Sequence, residues 1–170
     1  MKELDDIDVA ILAALQADGR QTNVALAKSV GLSPTPCIER VKALEAQGLI
    51  RGYSAILDPD SVGLGLLVFI EVSIARTSQD AFDQFQRAAV GIAEIQECHM
   101  VAGGFDYLLK VRVQDMHAYR AFLGEVLSQI PGIRETRTYP VMEVVKETHI
   151  VDLGHLGQVR DVAKRNTSPD

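Results

Sequence analysis

The sequence predicts an α+β chain of two unlike parts: an N-terminal winged helix-turn-helix domain and a C-terminal ferredoxin-like βαββαβ domain. Three observations predict it. Residues 4–47 carry three short helical periods joined by glycine-containing turns. Residues 66–148 alternate strand and helix signals in the order βαββαβ. Between them "DPDSVGLG" (58–65) interrupts both patterns with Pro59, Gly63 and Gly65. The predicted division is 1–53 for the winged helix-turn-helix, 54–65 for a linker and 66–150 for the ferredoxin-like domain. Residues 151–170 form a tail with little apolar periodicity, expected to fray.

In the first helix, "LDDIDVAILAALQADG", Leu4, Ile7, Ile11 and Leu15 form one stripe, acids sit in the first turn and Gly19 closes it. The second, "TNVALAKSVGLS", is capped by Thr22 or Asn23, turns Leu26, Ala27 and Val30 inward and ends at Gly31. The third follows after only Gly31-Leu32-Ser33, with Cys37, Ile38, Val41 and Leu44 as its apolar stripe. Two prolines stand at its front, Pro34 and Pro36. Inside a helix each would cost about 3 kcal/mol, but the first four N–H groups have no intrahelical partner, so in the first turn the cost largely vanishes. With Ser33 as N-cap, the N–H of Pro36 does not exist, and the serine is expected to cap through Thr35. The result is a blunt, positive helix end carrying short side chains. "LIRGYSAILD" then reads as two short strands turning at Gly52, the wing.

In the second part, "LLVFIEVSI" places Leu66, Val68, Ile70, Val72 and Ile74 on one face and Leu67, Phe69, Glu71 and Ser73 on the other. "QDAFDQFQRAAV" is helical through Phe82, Phe85 and Ala89. "EIQECHMVAG" and "FDYLLKVRV" are strands joined at a Gly103-Gly104 hairpin. "DMHAYRAFLGEVLSQIPG" is a helix with Tyr119, Leu123, Val126, Leu127 and Ile130 inward, and "IRETRTYPVMEVVKE" is the last strand. Both helices should cover one face of the sheet. The other face mixes Leu67, Phe69, Ile95 and Val101 with Glu71, Glu97 and His99, a composition suited to packing against another subunit.

Composition restricts the function class. An apolar fraction of 47 % and a charged fraction of 24 % over 170 residues are those of a soluble globular chain, and no apolar run reaches membrane-spanning length. The N-terminus is acidic and lacks the apolar core of a secretory signal. Two unpaired-looking cysteines, Cys37 and Cys98, fit a reducing, cytoplasmic setting. A net charge of −6 opposes indiscriminate nucleic-acid binding, yet residues 20–53 hold five bases against two acids, a local +3. Adjacent Cys98 and His99 would point to opposite faces of a strand, so they cannot form a nucleophile–base pair, and the four histidines lack metal spacing. Neither a catalytic nor a metal site is expected.

The segments "LDDIDVAILAALQADGR", "VGLSPTPCIERVKALEAQGLIRGY", "LLVFIEV", "IQECHMVAGGFDYLLKVRV" and "TRTYPVMEVVKE" resemble, in order, those of the Lrp/AsnC (feast/famine) transcriptional regulators, from about Leu4 to Thr148. The resemblance implies a sequence-specific regulator of double-stranded DNA with no cofactor. It also implies a free amino acid, leucine or another small one, bound between subunits of a homodimer that assembles further, for instance into an octamer. A roughly palindromic operator would follow. On this reading the recognition helix is 34–47, and the DNA-binding set is Ser33, Thr35, Pro36, Glu39, Arg40, Lys42 and Arg51, with Arg40 the base reader. The effector loop falls on "AGGFDYLL", and the effector set is Val101, Gly103, Gly104, Asp106, Tyr107, Thr136, Thr138, Tyr139 and Pro140, with Asp106 pairing the ammonium. Two departures bear on which amino acid is bound: Gly104 stands where family members that answer to leucine usually carry an acid, and Pro140 interrupts the last strand. The rival reading is an amino-acid-sensing module acting on a protein partner. The local +3 and the donor-bearing first turn of the third helix speak for DNA.

Overall fold

The computed structural model describes residues 4–75 and 79–156. The described residues fall into two compact units, 4–55 with 147–156, and 56–146. The division differs from the expected one at both ends. Residues 147–156 join the helical unit, where the side-chain amide of Gln16 pairs with the backbone of Val151. Its Nε2 donates to the Val151 carbonyl at 3.0 Å and its Oε1 accepts the Val151 N–H at 2.7 Å. The rest of the predicted tail lies outside the described residues.

The helical unit contains α1 (Asp6–Ala17), α2 (Asn23–Ser29) and α3 (Pro34–Ala46). Asp5 caps α1 and Thr22 caps α2, each accepting a backbone N–H three residues on. After α2, Leu32 N–H donates to the Ala27 carbonyl and Gly31 N–H to that of Lys28. That Schellman closure needs the left-handed backbone Gly31 supplies at φ 72°. It folds Leu32 onto the core and delivers the chain at once to Ser33, the α3 N-cap, so the tight turn is a consequence of the glycine. Gly48, at φ 74°, closes α3 in the same way through Leu49 and Leu44. Ile11, Leu26, Ala27, Cys37 and Leu44 form the buried centre.

Two expectations fail here. Ser33 makes no side-chain capping bond. Residues 51–57 form no strand, so the wing is irregular chain, and the Tyr53 hydroxyl within it donates to Glu45 Oε1 at 3.0 Å.

The second unit is a four-stranded antiparallel sheet in the order β2-β3-β1-β4, the ferredoxin-like arrangement, from β1 (Leu66–Ile74), β2 (Ile95–Met100), β3 (Tyr107–Val113) and β4 (Ile133–Pro140). Helices α4 (Gln79–Val90) and α5 (Met116–Ala121) cover one face. The core pairs Val68, Ile70, Val72 and Ile74 of β1 and Tyr107, Leu109, Val111 and Val113 of β3 with Phe85 and Ala89 of α4 and Tyr119 and Phe122 from α5 onward. The α5 segment continues as a π turn over Phe122–Val126 and a 3₁₀ turn over Leu127–Gln129 instead of one regular helix. The last strand stops at Pro140, whose missing N–H is tolerated at the end of an edge strand. A register shift between Ile95 and Glu97 turns Ile95 to the helix-covered face, not to the mixed face expected for it. Cys98 packs on the same core while His99 stays exposed, so the two do lie on opposite sides of β2.

Candidate functional site

Two surfaces hold the predicted site residues, one in each unit. In the helical unit the front of α3 is open: Ser33, Pro34 and Thr35 are exposed, Pro36 is half-buried and no side chain caps the first turn. Glu39 and Lys42 follow on the exposed side of the helix, and Arg51 is exposed beyond it. Pro34 and Pro36 contribute no N–H, so the first turn offers an anion the Thr35 N–H, the Ser33 and Thr35 hydroxyls and the helix dipole.

Arg40 is placed differently from the sequence reading. Its Nη1 donates to Asp5 Oδ2 at 2.6 Å and to Asp8 Oδ1 at 2.7 Å. The guanidinium therefore faces the start of α1, where two carboxylates compensate its charge. Asp5 is held below the ordinary carboxylate range, first by the N–H of Asp8 and then by Arg40, and the pair in turn pushes the guanidinium pKa up. Cys37 is fully buried, which pushes its thiol up and makes it a small apolar core residue.

In the sheet unit the predicted effector residues separate onto two faces. Tyr107 is a core side chain, 1 % exposed, packed at a tilt against Phe85 at 4.5 Å between ring centroids and accepting from Gln86 Nε2 at its hydroxyl. It pairs with Val72 and shares that residue's face, so it cannot wall an outer site. Thr136 and Thr138 pair with Val72 and Ile70 and lie on the same covered face, both half-buried. The Thr138 hydroxyl shares a 2.6 Å hydrogen bond with Tyr119. Pro140, opposite Val68, ends the strand. Tyr107 and Thr138 are thus held by contacts inside the unit, Thr136 is half-buried and Pro140 is exposed at the strand end.

Val101, Gly103, Gly104 and Asp106 lie in a six-residue connection from β2 to β3, which replaces the expected two-residue hairpin. Val101 N–H donates to the Asp106 carbonyl at 3.0 Å. Asp106 N–H donates to the Val72 carbonyl at 3.0 Å, and Asp106 Oδ2 accepts the N–H of Ile74 at 2.7 Å. Asp106 thus prolongs the β1–β3 ladder with its side chain. Neither Gly103 nor Gly104 has a positive φ, and a Cβ at either would meet nothing within 4 Å.

Beside this loop, on the face without helices, Glu71, Ser73, Gly104, Phe105, Glu135 and Arg137 line an open depression of about 280 Å³. Only Gly104 of these belongs to the predicted effector set; Glu71 was read no further than as part of a mixed face, and Ser73, Phe105, Glu135 and Arg137 were not read as site residues. Arg137 lies opposite Glu71 in the ladder and donates from Nε to Glu135 Oε1 at 3.1 Å. Tyr139 is half-exposed on the same face, and Glu71 accepting its hydroxyl pushes the phenol pKa up. Acids, a guanidinium and an aromatic edge thus meet on one surface. Further along that face Lys110 and His99 both contact Glu97, at 3.2 and 3.0 Å, and hold its carboxyl below the usual range, His99 more strongly. Among the described residues no cluster of three His, Cys, Asp or Glu could hold a metal, and no helix is long and apolar enough to cross a membrane.

Comparison with known proteins places each unit in a known family model. Residues 4–51 match the winged helix-turn-helix DNA-binding family model, and residues 67–151 match the Lrp/AsnC ligand binding domain. The leucine-responsive regulatory protein of Escherichia coli (strain K12) is 57 % identical over 148 residues, covering 87 % of this chain and 90 % of that one, and that of Salmonella typhimurium matches equally. Among solved structures, a transcriptional regulator from Neisseria meningitidis in complex with L-Met has a TM-score of 0.85 at 40 % identity, covering 90 % of this chain and 99 % of that chain. An AsnC family transcriptional regulator from Agrobacterium tumefaciens also has a TM-score of 0.85, at 36 % identity, covering 89 % and 99 %. The two family models fall in order on the helical unit and the sheet unit, and the chain belongs to the Lrp/AsnC family of transcriptional regulators.

Proposed function

We propose that this regulator binds its DNA through the front of α3 and is controlled by a free amino acid held against the outer face of the sheet. The observation that carries the reading is the depression lined by Glu71, Ser73, Gly104, Phe105, Glu135 and Arg137. A free amino acid presents an ammonium, a carboxylate and a side chain. Glu71 and Glu135 suit the first, Arg137 the second and Phe105 the third. Gly103 and Gly104 answer no demand of backbone or space, and what they permit is close approach of something outside this chain. The methionine complex of the Neisseria relative supports the same ligand class.

The depression is open to solvent on one side, which supports completion by a second copy. The sheet face around it keeps Phe69 and Leu108 only half-buried. A homodimer, assembled further, would put the effector between subunits, where it can favour one assembly over another without touching DNA. In the DNA-binding half the contacts fall to Ser33, Thr35 and Glu39 for bases and Lys42 and Arg51 for phosphates, with Pro36 shaping the turn.

Thermal melts with each of the twenty amino acids test the effector site, since a ligand of the native state raises the melting temperature. One or a few small amino acids should raise it in the natural chain and none in Glu71→Gln. An effector that stabilises both equally removes Glu71 from the site.

A further inference from the structure

Arg40, Asp5 and Asp8 form a closed network, and its closure is what bears on function. Asp5 Oδ1 accepts the Asp8 N–H at 2.8 Å, and Asp8 Oδ2 accepts the Asp5 N–H at 3.3 Å, a reciprocal capping box. The two remaining oxygens, Asp5 Oδ2 and Asp8 Oδ1, are the ones that take Arg40 Nη1. All four carboxylate oxygens therefore have a partner within the chain, two at the start of α1 and two on one nitrogen from α3. The Asp8 side chain is 10 % exposed, that of Arg40 32 % and that of Asp5 47 %, so the Asp8 arm of the junction is screened less than a surface pair and the Asp5 arm is not.

We propose that Arg40 is a positioning residue for DNA binding: it fixes the rotation of α3 about its own axis through Asp5 and Asp8, and it does not touch DNA. Cys37 and Leu44 anchor one side of α3 in the core, but apolar packing alone tolerates sliding and small rotations. A charge bridging two carboxylates of one helix start does not. The network sets which of Ser33, Thr35, Glu39 and Lys42 faces the groove. It also accounts for acids at Asp5 and Asp8 in the half of the chain that meets an anionic partner. The inference rests on the DNA-binding reading.

The two roles predict opposite signs for one substitution. If the acids merely sit near DNA, Asp5→Asn or Asp8→Asn removes a repelling charge and strengthens binding. If they hold Arg40, the same change weakens it. The experiment selects a duplex from a random pool with the natural chain, then measures affinity for it and for an unrelated duplex across a salt series. Asp8→Asn and Arg40→Gln should each weaken the selected duplex about tenfold and leave the salt slope unchanged, since no phosphate contact is lost. The double variant should be no worse than the poorer single one, because both remove the same junction. Arg40→Lys should recover part of the loss, and Asp5→Asn, which keeps a good N-cap residue, guards against a mere folding defect. Tighter binding by either Asn variant overturns the proposal, as does a salt slope that falls by about one in Arg40→Gln, the mark of a direct phosphate contact. A natural chain that enriches no duplex overturns the DNA reading and the positioning role together.

Discussion

The two units spend their polar side chains in opposite ways. At the start of α1 every carboxylate oxygen of Asp5 and Asp8 has a partner within the chain, and Asp8 is buried. On the outer face of the sheet, Glu71, Glu135, Arg137 and Tyr139 contact one another loosely around a depression, with Arg137 66 % and Glu135 51 % exposed. A network whose carboxylates are already bonded within the chain has less to offer a ligand and more to lose if opened. An open one adds little to stability and keeps its bonding capacity for something else. Charge alone does not distinguish them, since both combine one arginine with two acids. Saturation does.

The sharpest way to break this contrast is through the core that the sheet's outer face is built on. Tyr107→Ala should cost about 3–5 kcal/mol, the range for emptying a large aromatic site, and would abolish effector binding by unfolding the unit. Tyr107→Phe loses only the contact with Gln86, about 1 kcal/mol, and should leave effector affinity unchanged. If Tyr107→Phe selectively lost effector binding in a folded protein, the residue would belong to the site after all.

Opening the closed network comes next. Asp8→Ala removes half a capping box and leaves Arg40 short of a partner, which should lower stability by about 1–3 kcal/mol. Hydrogen exchange should register the loss in α1–α3 and not in β1–β4. An equal loss in both units, or none, would show that the network does not hold the helices.

Acid is a gentler means. Asp5 and Glu97 both titrate below their ordinary values, Asp5 chiefly through the Asp8 N–H and Glu97 chiefly through His99. A carboxyl whose folded pKa is depressed contributes fully above its unfolded value and loses that contribution as the pH falls through the folded one. Stability should therefore hold from pH 6 down to the ordinary carboxylate range near about 4 and fall below it. Urea midpoints measured from pH 3 to 7 check this, and Asp5→Asn should flatten the acid limb. A midpoint that rose on acidification would contradict both assignments.

Much of this was legible along the chain. The α4 segment reads directly from Phe82, Phe85 and Ala89, and β1 from the alternation that buries Val68, Ile70, Val72 and Ile74, although Leu67 and Ser73 on its other face are buried as well. The place of Tyr107 was legible too, since it shares the parity of Leu109, Val111 and Val113, though its neighbour Asp106 drew it into the effector loop. Arg40 was harder. Its partners lie 32 and 35 residues away on another helix, and a helical wheel reports only that position 40 lies off the apolar stripe. The available signal was the acid pair at Asp5 and Asp8, with capping-box spacing. The depression could not be read, because Glu71 meets Arg137 through the β1–β4 register, which follows from the whole sheet. Nor does any local residue announce the lost wing strands, since pairing depends on a neighbour being in place.

The smallest structural effect belongs to the open network, and there the contrast is most exposed to refutation. Arg137 and Glu135 lie two residues apart on an edge strand, largely in water, so each gives up little when its partner goes. Arg137→Ala and Glu135→Gln should leave the melting temperature of the free protein within experimental error. Their effect on the effector should be large by comparison. Loss of a charge-assisted bond to the ligand carboxylate lowers affinity by about 10- to 100-fold for Arg137→Ala. Glu135→Gln should cost less, because Glu71 remains to face the ammonium. Calorimetry with whichever amino acid raises the melting temperature of the natural chain measures both. A variant that melts normally and binds normally would mean the cluster is solvated surface. A variant that melts early would mean the outer face is as closed as the start of α1, and the difference between the two units would be one of appearance.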